Sequence, residues 1–170
     1  MAFWSLRRGT SSRAVEGSAA RHVVPELEPV QIFLADRVVR GAIVPDGERL
    51  TDLMANQLGL RVQLDDGSWE SLSLDDIILV APPPHASQRR IHRAKRRIEL
   101  TADPYKITAT AHLPPGTQLD PFVLRTGRPV IPVTGAWVRI EDDASSDQQL
   151  GVAIVTVKAI SMARELLGAL

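Results

Sequence analysis

One pattern of turns and apolar stretches occurs twice in this sequence, and the repeat limits the possible folds more than any other feature. The turn Pro45-Asp46-Gly47 recurs as Pro114-Pro115-Gly116, 69 residues later. Each turn follows alternating apolar residues typical of strands and precedes a short apolar stretch typical of a helix. Two further strand-like stretches then complete each unit. Two units that each bury a single face would stack on one another to complete a core.

Both units are therefore predicted to have the order β-β-α-β-β. In the first, Thr51 is placed to cap a short helix, Leu58 falls on its apolar face and Gly59 suits the position after its end. In the second, Asp120 takes the capping position and Pro121 the first helical position. Trp69 and Trp137 are predicted to occupy corresponding strands, one in each unit.

The expected fold is mainly β with short helices (α+β). The two pseudo-symmetric β-β-α-β-β units form either one barrel or two small packed β domains. Exposed edge strands would need covering, and a symmetric homo-oligomer is one way to cover them. Along the chain we expect a flexible N-terminal arm (1–28), a first repeat (29–84), a basic linker (85–97), a second repeat (98–163) and a C-terminal helical tail (164–170).

The basic linker is the sharpest charged feature of a chain whose 20 basic and 20 acidic residues otherwise cancel. Its candidate contact residues are Arg89, Arg90, Arg93, Arg96 and Arg97. If the linker is helical, four of these arginines share one broad face, which could neutralise phosphates or dock on an acidic protein surface. The alternative is a solvated linker whose arginines pair with acidic loops of the same chain. No aromatic residues interleave with the arginines, so a stacking platform for single strands is not predicted there.

Two weaker candidate sites accompany the linker. The tip of the arm combines apolar and basic residues and could dock on a protein or a membrane surface: Phe3, Trp4, Leu6, Arg7 and Arg8. The alternative is an ordinary unstructured start. The first predicted helix carries a polar stripe of Arg49, Asp52 and Asn56, which could grip a ligand or form a solvated helix face.

The remaining residue types argue against catalysis. The chain has no cysteine, which excludes disulfides and thiolate chemistry, and its four histidines show no metal-binding spacing. No nucleophile elbow or phosphate-cradling loop occurs, so we expect a protein that is not an enzyme and uses no cofactor or metal. Because no apolar run approaches the ~18 residues of a membrane span and the N-terminus lacks an apolar signal core, we expect no transmembrane segment and a cytoplasmic location.

The segment GAIVPDGERLTDLMANQ, followed by LRVQLDDG, resembles a motif of uncharacterised bacterial small β-domain proteins. In that family a strand ending in Gly leads through a turn to an R-L-[ST]-D-L-[LM]-N-like helix and a strand ending in Asp. The match covers roughly residues 30–80, and Ala55 is an insertion relative to the motif. The resemblance implies a bacterial source and no assigned activity. More distantly, paired β-β-α-β units resemble cradle-loop barrels, which include swapped-hairpin DNA-binding proteins.

Three functions follow as hypotheses. The leading one is a non-enzymatic interaction or scaffold protein, acting through self-association or a protein partner. The second is a nucleic-acid-binding regulator that uses the arginine-rich linker. The third is a small-ligand sensor with a cleft between the repeats.

Overall fold

The part of the chain that the structure describes forms ten strands and two short helices. The computed structural model describes residues 26–45, 47–83, 94–124, 127–140 and 143–166. The strands are β1 (Glu28–Leu34), β2 (Val38–Ile43), β3 (Gly59–Leu64), β4 (Trp69–Ser73), β5 (Ile77–Ala81), β6 (Ala94–Ala102), β7 (Tyr105–Leu113), β8 (Val130–Ile140), β9 (Asp143–Thr156) and β10 (Met162–Glu165). The helices are α1 (Leu50–Asn56) and α2 (Leu119–Leu124), and a 3-10 turn spans Val157–Ala159. The prediction of a mainly β chain with short helices is confirmed.

All ten strands belong to one antiparallel sheet in the order β10-β6-β7-β8-β9-β5-β1-β2-β3-β4. We call β1–β5 the first half and β6–β10 the second half. Within each half the last strand returns to pair with the first, so the strand order is β5-β1-β2-β3-β4 in one and β10-β6-β7-β8-β9 in the other. The halves join where β5 pairs with β9. Among the described strands the sheet is open, with β10 and β4 at its edges, so the predicted barrel is not confirmed.

Two hydrophobic cores lie on opposite faces of the central strands. Because alternate residues of a strand point to opposite faces, Ile32 and Phe33 enter different cores, and so do Val80 and Leu79. All five residues of β5 are buried. The second half supplies most of one core, and four residues of the first half complete it: Phe33, Ile78, Leu79 and Ala81. The central strands therefore lie between the two cores and supply residues to both.

Three element boundaries and the placement of the two tryptophans differ from the sequence predictions. The stretch predicted as one strand over 69–81 is divided into β4 and β5 by a turn at residues 74–76. Strand β6 begins at Ala94, so residues 94–97 of the predicted linker are part of the sheet. The predicted helical tail is wrong at its start, because Arg164 and Glu165 lie in β10 and pair with β6. Trp69 lies in the fourth strand of its half and Trp137 in the third, so they do not occupy corresponding positions.

The predicted helix caps also differ. Helix α1 begins at Leu50 with Arg49 at its N-cap, and the side chain of Arg49 makes no capping hydrogen bond. The predicted cap, Thr51, therefore lies inside the helix. Helix α2 begins at Leu119, one residue before the predicted cap Asp120. Leu58 is 94% exposed, because the helix ends at Asn56 and the chain turns into β3 before Leu58 can reach the core.

Gly59 opens β3 rather than ending the helix, and its role is close packing. A Cβ at Gly59 would lie 2.4 Å from the carbonyl oxygen of Leu72 on the neighbouring strand. Gly41 of β2 is in the same situation, since a Cβ there would lie 2.3 Å from the carbonyl oxygen of Gln63. Both glycines let neighbouring strands approach more closely than any side chain would permit.

Candidate binding site

A bulge in β8 places Trp137 on the outer face of the second half. Thr134 pairs with Thr110 and Trp137 with Thr108, so two residues of β8 oppose the single Ala109 of β7. Gly135 has a φ of +56°, the left-handed conformation that such bulges require. Val133 is buried before the bulge and Ala136 after it, so the inward-facing positions shift by one residue. If β8 instead continued from Val133 in regular alternation, with no bulge, Trp137 would point into the core.

Trp137 is 48% exposed and lies in a row of outward-facing residues that crosses four strands: Glu99, Thr108, Trp137 and Gln149. Arg139 and Lys106 form the next row along the strands. Together with Arg97 and Asp147, we call this surface the Trp137 face. A shallow depression of about 200 Å³ lies in it, lined by Arg97, Thr108, Trp137, Arg139 and Asp147.

The Trp137 face carries three basic and two acidic residues, which leaves a small excess of positive charge. Glu99 is already paired with Arg164 on β10, at 2.7 Å. Arg97 and Arg139 form no ion pair with any acidic side chain that the structure describes. Asp147 is the one described carboxylate that lines the depression. Two guanidinium groups therefore remain available to an anionic ligand on either side of the exposed indole.

The indole of Trp137 differs from that of Trp69 in the environment of its ring. Trp69 is 42% exposed, but the guanidinium carbon of Arg61 lies 4.8 Å from the centre of its ring and covers one face. None of the described arginines or lysines stacks on Trp137 in this way. Of the two, Trp137 is the exposed indole on which no described cation stacks.

The structure separates the arginines predicted to act together in the linker. Arg96 and Arg97 are neighbours in β6, so they point to opposite faces of the sheet. Arg96 is paired with Glu165 at 2.8 Å, whereas Arg97 belongs to the Trp137 face. The shared helical face is therefore wrong for these two residues. Arg89, Arg90 and Arg93 lie outside the described residues.

The other predicted contact residues form no site in the described part of the chain. Arg49, Asp52 and Asn56 are exposed on α1 and make no ion pair or side-chain hydrogen bond with a described residue. This arrangement fits the solvated helix face. The predicted docking arm of Phe3, Trp4, Leu6, Arg7 and Arg8 lies outside the described residues.

The described residues include no group of three or more histidine or acidic side chains that could hold a metal ion. The Nε2 atom of His112 is hydrogen-bonded to the hydroxyl of Thr134 at 2.8 Å, and His112 lies partly buried in β7. The pKa of Asp66 is lowered by the hydroxyl and then the backbone N–H of Ser68, which both donate to it within an exposed turn.

A second depression, between α2 and β10, also lies wholly in the second half, so neither depression forms a cleft between the halves.

The Trp137 face was missed at the sequence level. Its basic residues come from three strands, and Arg97 and Arg139 are far apart along the chain. One local signal was present: a glycine inside a strand pattern suggests a bulge, and Gly135 immediately precedes Ala136 and Trp137. Counting outward positions from that bulge would have placed Trp137 on the outer face.

No protein-family model matches the chain, and no curated protein or solved structure matches it either. In the described residues, neither the length nor the hydropathy of any helix is sufficient for crossing a lipid bilayer.

Proposed function

We propose that this chain is a non-enzymatic scaffold protein, built from two pseudo-symmetric units, that self-associates through the open edges of its sheet. The observation that carries the proposal is the junction between the halves. There the fifth strand of the first half, β5, pairs with the fourth strand of the second half, β9. The strands left open at the sheet edges are the fifth strand of the second half, β10, and the fourth strand of the first half, β4.

The pairing of β5 with β9 inside the chain therefore indicates a way for two chains to pair with each other. If the two halves are equivalent, β10 of one molecule can pair with β4 of another as β5 pairs with β9. Such a contact joins two different surfaces, so repeating it gives a ring or an open chain of molecules. Unpaired edge strands provide the backbone donors and acceptors that this pairing needs.

The chemistry of the two edges favours a weak, reversible contact. The internal junction pairs Leu79 with Val155 and Val80 with Ile154, and all four residues are buried. The edges are more polar: β4 presents Glu70 and Ser71, and β10 presents Arg164 and Glu165. Assembly would bury less apolar surface than the internal junction, so association should depend on protein concentration.

Ser71→Pro tests the proposal, because it removes one donor from the β4 edge. Ser68 accepts a hydrogen bond from Leu64 (2.8 Å), and Leu74 donates one to Leu58 (2.9 Å). Since bonded residues alternate along an antiparallel strand, the N–H of Ser71 points away from β3. Proline is tolerated at such an edge position. Sedimentation equilibrium over a concentration series should show reversible association of the native chain and at least about tenfold weaker association of the variant.

Ser71→Ala is the matched control, because it removes the hydroxyl and keeps the N–H. It should associate like the native chain. Far-UV circular dichroism and the unfolding midpoint establish that both variants remain folded. A native chain that stays monomeric at the highest concentration, or equal association of the proline and alanine variants, would refute edge pairing.

A further inference from the structure

We infer that the Trp137 face binds single-stranded nucleic acid, with a base stacked on Trp137 and phosphates held by Arg97 and Arg139. This inference is independent of self-association, since the face lies on the broad surface of the sheet and not at its edges. The proposed nucleic-acid site is the outer surface of β6, β7 and β8, and not the linker helix predicted from the sequence.

The exposed indole is the first feature that favours this ligand. A large aromatic side chain that is 48% exposed in the middle of a sheet gains little from the protein's own core. It faces outward because the bulge at Gly135 and Ala136 shifts the alternation of β8 by one residue. Exposed aromatic side chains on a sheet are the standard means of holding unpaired bases, because every base has a stacking face. Trp137 is about half exposed and carries no described stacked cation, which favours a stacking role.

The charge beside the indole is the second feature. Arg97 and Arg139 line the same depression as Trp137 and form no ion pair with a described acidic residue. Lys106, opposite Arg139 on β7, adds a third cation to the face. Thr108, opposite Trp137, provides a hydroxyl that can donate to a phosphate or a base edge. Cations flanking a stacking residue match the alternation of bases and phosphates along a single strand.

The shape of the face is the third feature. The face spans four adjacent strands, which is roughly 14 Å across and suits two or three nucleotides. Its depression is shallow, at about 200 Å³, and a sheet surface of this kind does not enter a duplex groove. Stacking on Trp137 requires a base that is not paired with another. The ligand should therefore be a single strand, and a duplex of the same length should bind more weakly.

Fluorescence anisotropy with labelled oligonucleotides tests the inference. The probes are a DNA oligothymidylate and an RNA oligouridylate of about 12 nucleotides, a length within the site sizes of single-strand-binding OB folds. A duplex of equal length serves as the competitor. We expect binding of at least one single strand at low salt. Trp137→Leu should weaken it about tenfold or more. Arg97→Gln and Arg139→Gln should each weaken it and reduce the slope of log affinity against log salt by about 0.7 for each phosphate that is no longer neutralised.

Two matched controls separate the site from general effects. Trp69→Leu removes the other exposed indole of the sheet, and Arg96→Gln removes the cation next to Arg97 on the opposite face. Both should leave binding within about twofold of the native chain, since surface changes away from a site have small effects. In a Trp4→Phe and Trp69→Phe background, the fluorescence of Trp137 should be quenched as oligonucleotide is added.

Several outcomes would overturn the inference. They are no binding of either strand at low salt, unchanged affinity in Trp137→Leu, an equally weakened affinity in Trp69→Leu, or a duplex that competes as well as the single strand. A triple variant, Arg89→Ser with Arg90→Ser and Arg93→Ser, tests the linker. If it lost oligonucleotide binding while Trp137→Leu bound normally, the binding site would be the linker and not the Trp137 face. Absence of quenching in the Trp137-only background would exclude stacking even if charge-driven binding remained.

Discussion

The hydroxyl of Tyr105 donates a hydrogen bond to the carbonyl oxygen of Leu34 at 2.8 Å, linking β7 of the second half to the end of β1 in the first. The same ring meets Phe33 edge to face, with centroids 5.6 Å apart and planes at 88°. Tyr105 is buried, with 3% of its surface exposed, and it is the only tyrosine of the chain. A single residue thus joins the halves through both a polar and an aromatic contact.

Tyr105→Phe should lower the free energy of unfolding by about 1–2 kcal/mol, because the ring stays and the buried carbonyl of Leu34 loses its hydroxyl donor. Urea unfolding followed by circular dichroism measures the change. Thr156→Val is the control for removing a buried hydroxyl, since the Thr156 Oγ1 has no described hydrogen-bond partner. That variant should be as stable as the native chain or more stable. Equal destabilisation of the two variants would show that the Tyr105 hydrogen bond is not the cause.

The same tyrosine predicts how stability depends on alkaline pH. Burial, and secondarily the carboxylate of Asp36, raises the pKa of the Tyr105 phenol above its ordinary value of 10.0. The unfolded chain therefore loses this proton at lower pH than the folded chain. The resulting contribution to stability is intact below pH 10.0 and declines as pH rises toward the folded pKa.

Unfolding free energies of the native chain and Tyr105→Phe should accordingly converge as pH rises above about 10. Other groups that titrate in this range, the lysines among them, are common to both proteins and cancel in the difference. Absorbance titration of the tyrosinate gives the folded pKa directly, because there is one tyrosine. A difference that stays constant across this range would contradict the raised pKa.

Local sequence patterns were sufficient to predict most of the strands and both helices. Alternating apolar residues, turns rich in glycine and proline, and short apolar stretches are set by nearby residues, and most of them marked an element near its observed position. The errors arose where tertiary pairing overrides local preference. Arg164 and Glu165 favour a helix in isolation but pair with β6, and the charged start of β6 hid its strand pattern.

The strand order and the Trp137 face depend on contacts that no local pattern reveals. Leu79 pairs with Val155 across much of the chain, and this contact decides where the halves join. Arg97 and Trp137 meet on one surface only because β7 lies between their strands and Gly135 shifts the register. A single sequence contains the residues of such a site without indicating which of them are neighbours.

The close approach of β2 and β3 predicts a contrast between two strand glycines. Gly41→Ala should lower the unfolding free energy by about 1–3 kcal/mol, since the new Cβ would meet the backbone oxygen of Gln63 at 2.3 Å and Val62 Cγ1 at 2.7 Å. Gly151→Ala is the matched control in β9, where a Cβ meets nothing within 4 Å. It should be neutral or stabilise the protein by up to ~1 kcal/mol, because alanine restricts the unfolded chain. Thermal unfolding of both variants measures the contrast, and equal effects would refute the packing explanation.

Because the central strands supply residues to both cores, we expect the two halves to unfold together. Leu79 belongs to the first half, yet it is fully buried in the core that the second half mostly supplies, and it pairs with Val155 at the junction. Leu79→Ala should therefore cost about 2–5 kcal/mol and lower one unfolding transition without splitting it. Val38→Ala, at a residue 40% exposed, should change stability by less than about 0.5 kcal/mol. If Leu79→Ala instead unfolds in two steps, with one half keeping the native midpoint, the halves are separate folding units that merely touch.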